Sequence, residues 1–280
     1  MMISFFEDIF QYEKFPTEFE CLKQLSNIEN YVAVPWTQIM NSHWLKFPGN
    51  RGRDYYLREI SNYNIQTENN FTVCQHDSFK QLQLYFKHLK ITKVFCTLHS
   101  QYDAIEGITL TPIPFTFNNT FKSNRNKDII VSFVGAYITH PIREKLKDNL
   151  QGEYFIFRDS YHVDGDNTNK EKEEDEYRDV IERSIFSLCP RGSSPSSVRF
   201  WESLSAGAIP ILISDDWVLP EWDWDNTLVR IPESDVAELT SETLLKMLQQ
   251  KDVESMRNNC LLAWEKFNSK KFKDYILENI

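Results

Sequence analysis

Between Ser187 and Glu202 the chain reads Ser-Leu-Cys-Pro-Arg-Gly-Ser-Ser-Pro-Ser-Ser-Val-Arg-Phe-Trp-Glu. An apolar run ends there, small hydroxylated residues follow, and two arginines, Arg191 and Arg199, flank them. A loop of this kind between a strand and a helix leaves backbone N–H groups and a partial positive charge at the helix N-terminus, which suits a phosphate or diphosphate. Each guanidinium can fork onto phosphate oxygens. Ser196 and Ser197 bring hydroxyl donors where phosphate loops ordinarily use glycine. Glu202 follows Arg199 by three residues and shares its helix face, where a carboxylate could accept both hydroxyls of a ribose. The same spacing also fits an i,i+3 surface pair on a serine-capped helix. Ser194 as N-cap, Pro195 as first helical residue and Gly207 with Pro210 as stop signals predict a helix over 195–206.

Composition narrows the chemistry. Only 8 glycines occur in 280 residues and none stands in a G-x-G, which excludes the dinucleotide fingerprint and the P-loop. With 31 basic against 41 acidic residues the net charge is −10, which argues against broad binding to nucleic acid or anionic membrane. The charge is uneven: residues 164–182 hold nine acids and three bases, whereas 185–207 hold two arginines and one glutamate. A chain 41% hydrophobic and 14% aromatic is not disordered. Apolar runs stay far below the roughly 20 residues of a membrane span. Met1–Asp8 turns acidic at once, with no basic stretch of a secretory signal before it. The five cysteines are odd in number and lack C-x-x-C spacing, as expected of free thiols in a reducing compartment. A cytoplasmic protein is therefore expected, without nucleic-acid binding or membrane insertion.

The positioning elements follow from hydrophobic patterning. Short β-branched runs at 31–34, 71–74, 94–98 and 108–110 predict buried strands, and apolar spacing over 78–90 predicts a helix among them. The polar stretch 118–128 predicts a domain boundary. After it, strands are expected at 129–135, 154–157, 185–189, 209–213 and 228–231, with helices at 141–149, over the acidic run, at 195–206, and two after Ser241. This alternation predicts α/β architecture with parallel sheets in two Rossmann-like domains, 1–125 and 126–280, facing each other across a ligand cleft. The last helix is free to pack back on the first domain.

The runs Phe186–Gly192, Arg199–Leu204, Gly207–Asp216 and Leu219-Pro220, with Phe133–Ala136 and Arg143–Leu146 before them, resemble the exostosin domain of glycosyltransferase family 47. The likeness is dense over about residues 129–240 and thin before them. It implies a GT-B fold and an inverting transferase that moves a sugar from a UDP-sugar to an oligosaccharide or glycoprotein glycan, forming a β linkage. It also implies that Arg191 and Arg199 hold the diphosphate, that Arg143 adds a third phosphate contact, and that Glu202 holds the ribose. Unlike cellular exostosins, this sequence shows no membrane anchor. It is most similar to soluble single-unit members of the kind encoded by bacteria and large algal viruses, for which UDP-xylose is the expected donor and the host cytoplasm the expected place. The alternative is a non-catalytic nucleotide- or carbohydrate-binding module on the same shell.

Inverting transfer needs a base for the acceptor proton. The ends of the first-domain strands offer Asp77, the first candidate, and His99, the second; each could instead be a helix cap or a satisfied polar residue. Asp164-Gly165-Asp166 has the D-x-D form of metal-dependent transferases but runs into the acidic segment, so no metal or other cofactor is expected to be needed. Trp36, Trp44, Phe47, Tyr55 and Tyr56 are candidates for stacking on acceptor sugars, and Trp217, Trp222 and Trp224 for shaping the donor site.

Overall fold

The computed structural model describes residues 2–10, 16–47, 49–159 and 170–280. The chain forms two compact units: Met1–Asn118 with Trp217–Pro220 and Phe267–Ile280, and Asn119–Asp216 with Glu221–Lys266. Residues 119–125, which the sequence assigns to the first half, group with the second. Glu182 holds them there, accepting from the Lys122 N–H at 2.8 Å and from Arg125 at 3.2 Å. Asp164, Gly165 and Asp166 lie outside the described residues.

The first unit carries β1 (Ile3–Ser4), α1 (Pro16–Leu25), β2 (Val32–Ala33), α2 (Trp36–Asn41), α3 (Arg53–Asn62), β3 (Asn70–Cys74), α4 (Gln83–His88), β4 (Ile91–Cys96) and β5 (Thr109–Pro112). β1 pairs with β2, and β3, β4 and β5 form a second ladder; both are parallel. A parallel bridge from Tyr31 to Phe71 joins the two. Cys74 lies opposite Cys96, so the loops that follow β3 and β4 leave the same edge of the sheet. Trp36, Tyr31, Phe86 and Phe95 fill the core. Two distant pieces complete this unit. Ser100 bridges Trp217 and the Val218 N–H donates to the His99 carbonyl at 2.9 Å. In the C-terminal helix Phe272–Asn279, Tyr275 donates to the Pro112 carbonyl at 2.7 Å.

One buried carboxylate knits this unit together. Glu18, in the first turn of α1, is fully buried and accepts from the Gln75 N–H (2.8 Å), the Thr37 hydroxyl (2.8 Å) and the Thr37 N–H (3.1 Å). It thereby ties α1 to the N-terminus of α2 and to the residue after β3. Burial raises its pKa from 4.5 to about 7 against the pull of those three donors. A carboxyl that holds its proton more tightly when folded makes stability decline as pH rises from 4.5 towards 7, with no further change on either side. Urea midpoints across that interval should show this slope in the wild-type chain and a shallower one in Glu18→Gln; equal slopes would contradict the assignment.

The second unit carries β6 (Ile129–Ala136), α5 (Pro141–Asn149), β7 (Phe155–Arg158), α6 (Lys170–Arg183), β8 (Ser184–Pro190), α7 (Val198–Ser205), β9 (Ile209–Ile213), β10 (Val229–Arg230), α8 (Ser241–Leu248) and α9 (Val253–Phe267). Its sheet is wholly parallel in the order β10-β9-β8-β6-β7. All five residues of β9 are buried, as a strand covered on both faces requires. Successive strands add to one side of β6 and then, from β8 onward, to the other. The winding therefore reverses between β6 and β8, and such a switch point opens a crevice at the carboxyl ends of the strands. The expected α/β class with Rossmann-like parallel sheets holds for both units.

One helix start differs from expectation. α7 begins at Val198, with Ser197 extended at the N-cap (φ −142°, ψ 127°) and Pro195 outside the helix. Serine side chains offer the backbone local alternatives to helix, and the helix starts only where Phe200, Trp201 and Leu204 begin to fill the core. At its other end Gly207 takes the left-handed conformation (φ +64°). Lys127 and Arg257 donate to the carbonyls of Ala206 (2.7 Å) and Gly207 (3.2 Å), cations placed where the helix dipole is negative.

Candidate functional site

The switch point between β6 and β8 is where the sequence motif lands. Arg191 follows β8 directly, its N–H donating to the Ile213 carbonyl at the end of β9 (2.9 Å). Its guanidinium lies 3.4 Å from Asp216 and 3.3 Å from Glu233. Ser197 caps α7 in position only, since its side chain makes no capping bond. The Phe200 N–H turns back to the Ser197 carbonyl at 3.1 Å, which leaves the N–H groups of Val198 and Arg199 to other acceptors.

Arg199 reaches from the first turn of α7 across to β6. Its Nη2 donates to the Val134 carbonyl, and its guanidinium lies 4.5 Å from the Phe133 ring centroid and 5.6 Å from that of Tyr177. It passes so close over Gly135 that a Cβ there would collide with Nη2. Glycine inside a strand often marks such a close approach, so this position carried a sequence signal.

Glu202 is buried, one turn along α7. It does not pair with Arg199. Its carboxylate instead accepts from the Tyr177 phenol and, at 3.4 Å, from Asn119. Burial raises its pKa, while Tyr177, the Arg199 charge and Asn119 pull it back.

Arg143 takes a part beyond the one expected. From α5 its Nε donates to the Arg191 carbonyl (2.8 Å), Nη1 to Ala136 (3.0 Å) and Nη2 to Pro190 (2.9 Å). It locks the ends of β6 and β8 together, a positioning role that the sequence did not show beside the phosphate contact expected there.

Five buried polar atoms at this edge have no hydrogen-bond partner among the described residues: Thr139 Oγ1 beyond β6, Arg191 Nε beyond β8, Ser196 Oγ in the loop, Arg199 Nε on α7 and Ser214 Oγ beyond β9. Each such atom costs about 1–3 kcal/mol if left unsatisfied. Their gathering along the ends of three adjacent strands fits a polar, anionic ligand that completes them. Thr139 and Ser214 were invisible to motif reasoning because each stands alone in its loop.

In the first unit the two expected bases differ. Asp77 is half exposed and accepts from the hydroxyl of its neighbour Ser78 at 3.0 Å. Burial lowers the pKa of His76 beside it, whose Nδ1 accepts the Ser78 N–H (3.0 Å) and whose Nε2 bonds to Asn41 (3.1 Å). His99 is half buried, with Nδ1 buried and unpartnered. Burial lowers its pKa below 6.5, partly offset by Asp103. Asp103 itself receives the Ser100 N–H (2.9 Å) and pairs with Lys80 (2.7 Å).

Of the aromatic candidates, Trp36 and Tyr56 belong to the core and Phe47 packs against it. Tyr55 lies under Arg51 and Arg58. Trp44 is 41% exposed, its Nε1 fixed on Asn41 at 3.2 Å. Trp217 and Trp224 are buried, and Trp224 packs on Phe200 of α7 at 5.3 Å. Trp222 donates to Thr227 at 3.0 Å. Among the described residues no helix is long and apolar enough to cross a membrane.

A family model, the Exostosin GT47 domain, matches residues 56–248. Exostosin-1 of Drosophila melanogaster is 25% identical over 186 residues, 60% of this chain and 23% of the fly protein. The Arabidopsis thaliana protein named "Probable beta-1,4-xylosyltransferase IRX10" is 39% identical over 90 residues, 31% of this chain and 21% of its own length. This chain thus spans about a quarter of the length of such relatives. Among solved structures, the pneumococcal O-GlcNAc transferase GtfA in complex with UDP and GlcNAc aligns with a TM-score of 0.35 and 13% identity, over 80% of this chain and 47% of that one.

Proposed function

The chain belongs to the Exostosin GT47 domain family, and on that premise we propose that it is a glycosyltransferase that moves a sugar from a UDP-sugar to a hydroxyl of a glycan. The observation that carries this reading is the row of unpartnered buried donors at the β6/β8 switch point, flanked by Arg191 and Arg199. Phosphate oxygens would satisfy Arg191 Nε, Arg199 Nε, Ser196 Oγ and the N–H groups of Val198 and Arg199. Glu202 would accept from the ribose. Positive charge from two arginines and a helix terminus is what a departing diphosphate needs, so transfer is expected to survive a chelator.

The reaction is an in-line displacement. The acceptor oxygen bonds to the anomeric carbon as the bond from that carbon to the diphosphate breaks; the acceptor proton passes to a base and UDP leaves. Inversion gives a β linkage from an α donor. His99 suits the base better than Asp77, because its lowered pKa keeps the imidazole neutral and able to take a proton near pH 7. Trp44 offers an exposed indole face for an acceptor ring. Xylose as the transferred sugar draws support from the plant relative's name. Five buried thiols without disulfides suit the cytoplasm.

The test is UDP release from UDP-xylose, UDP-glucose, UDP-glucuronate and UDP-N-acetylglucosamine with a panel of oligosaccharide acceptors. Turnover with one donor is expected. Measurable UDP binding without turnover from any donor would favour a binding module instead. Gly135→Ala probes the site from the side: the added methyl collides with the far end of the Arg199 side chain and otherwise makes ordinary contact with the Phe133 ring, so the fold should persist with a small shift in melting temperature. Arg199 must move, and UDP affinity is expected to fall about tenfold by calorimetry. Unchanged affinity would disconnect Arg199 from the nucleotide.

A further inference from the structure

Tyr177 is the one aromatic in a strongly acidic stretch of α6, yet it is drawn towards α7. Its hydroxyl donates to Glu202 Oε2. Its ring lies 5.6 Å from the Arg199 guanidinium and meets Phe121 edge-on at 6.2 Å. One side chain thus touches both charged groups of α7 that face the switch point. A buried carboxylate that forms no ion pair needs donors to hold its charge and its direction. Among the described residues Tyr177 and Asn119 are those donors, and each carboxylate oxygen still has room for another hydrogen bond.

We propose that Tyr177 is the positioning residue through which the site distinguishes ribose from deoxyribose. Its hydroxyl aims the Glu202 carboxylate at the vicinal hydroxyls of a nucleoside diphosphate, while its ring supports Arg199 over the phosphates. Tyr177 itself touches no ligand and transfers no proton. The proposal rests on the nucleotide site described above.

The experiment is a calorimetric comparison of UDP, 2′-deoxy-UDP and inorganic pyrophosphate. The wild-type chain is expected to bind UDP about tenfold more tightly than 2′-deoxy-UDP, the order of one hydrogen bond to a charged group. Tyr177→Phe keeps the ring under Arg199. It should therefore leave pyrophosphate affinity unchanged and weaken UDP about tenfold more than 2′-deoxy-UDP, which keeps only the 3′-hydroxyl, so that discrimination disappears. In a Glu202→Gln background, Tyr177→Phe should have little further effect, because the two act as a unit. Retained discrimination in Tyr177→Phe, or an equal loss for all three ligands, would overturn the proposal. Failure of the ribose reading itself would be seen separately, as an absence of discrimination in the wild-type chain.

Discussion

Replacing Arg199 by alanine is expected to weaken UDP binding about a hundredfold or more, close to 3 kcal/mol, as the loss of a desolvated charge pair with phosphate does. The expectation rests on how fully the side chain is committed. The rings of Phe133 and Tyr177 lie beside the guanidinium, the Val134 carbonyl holds one nitrogen, and Nε is buried with no partner among the described residues. The remaining donors are thus preorganised for an anion, which lowers the entropy lost on binding. Arg199→Lys keeps the charge but loses the fork and should fall between the two. Arg191 is a less clean target, because its removal leaves Asp216 and Glu233 without their shared cation. Calorimetry with UDP, paired with thermal unfolding to show an intact fold, reads the effect. An affinity within threefold of wild type (about 0.6 kcal/mol) would sink the assignment.

The second large effect is expected on turnover. His99→Ala should lower kcat by about 10²–10⁴, the range for losing a general base, with UDP affinity unchanged. In the wild-type chain the imidazole must be neutral to accept a proton. Activity should therefore fall as pH drops through its pKa, which burial places below the ordinary 6.5, and level off above. His99→Ala should abolish that acid limb. Asp77→Asn is expected to change kcat little, since Asp77 is half exposed and engaged by Ser78. If Asp77→Asn removes the activity and His99→Ala does not, the base is Asp77.

The parts of the fold most legible in the sequence are those where local patterning and tertiary demand agree. The run 209–213 is continuously apolar because β9 is covered on both faces. α5 begins at Pro141 after His140, a local signal that the structure follows to the residue. α7 starts three residues later than Pro195 suggests, because Pro195 satisfies the rule for a first helical position while the serines around it favour loop.

In the site, residue type gave away the arginines but not their uses. Arg143 and Arg199 look alike in sequence. Only the fold shows that carbonyls 7, 47 and 48 residues from Arg143 claim its nitrogens, whereas Arg199 keeps an unpartnered Nε. The burial of Glu18 is not legible in the sequence for the same reason: in a polar ten-residue helix nothing marks one carboxylate as buried, and its donors come from residues 37 and 75. Tyr177 left a fainter trace, an isolated aromatic ring followed at three and four residues by Val180 and Ile181, the spacing of an inward helix face.

The central claim is that the carboxyl edge between β6 and β8 holds the donor nucleotide. Crystals of the wild-type chain soaked in UDP test it most directly. The diphosphate is expected against Arg191, Ser196, Arg199 and the N-terminus of α7, with the ribose hydroxyls on Glu202. UDP bound elsewhere, or no UDP at saturating concentration, would contradict the account.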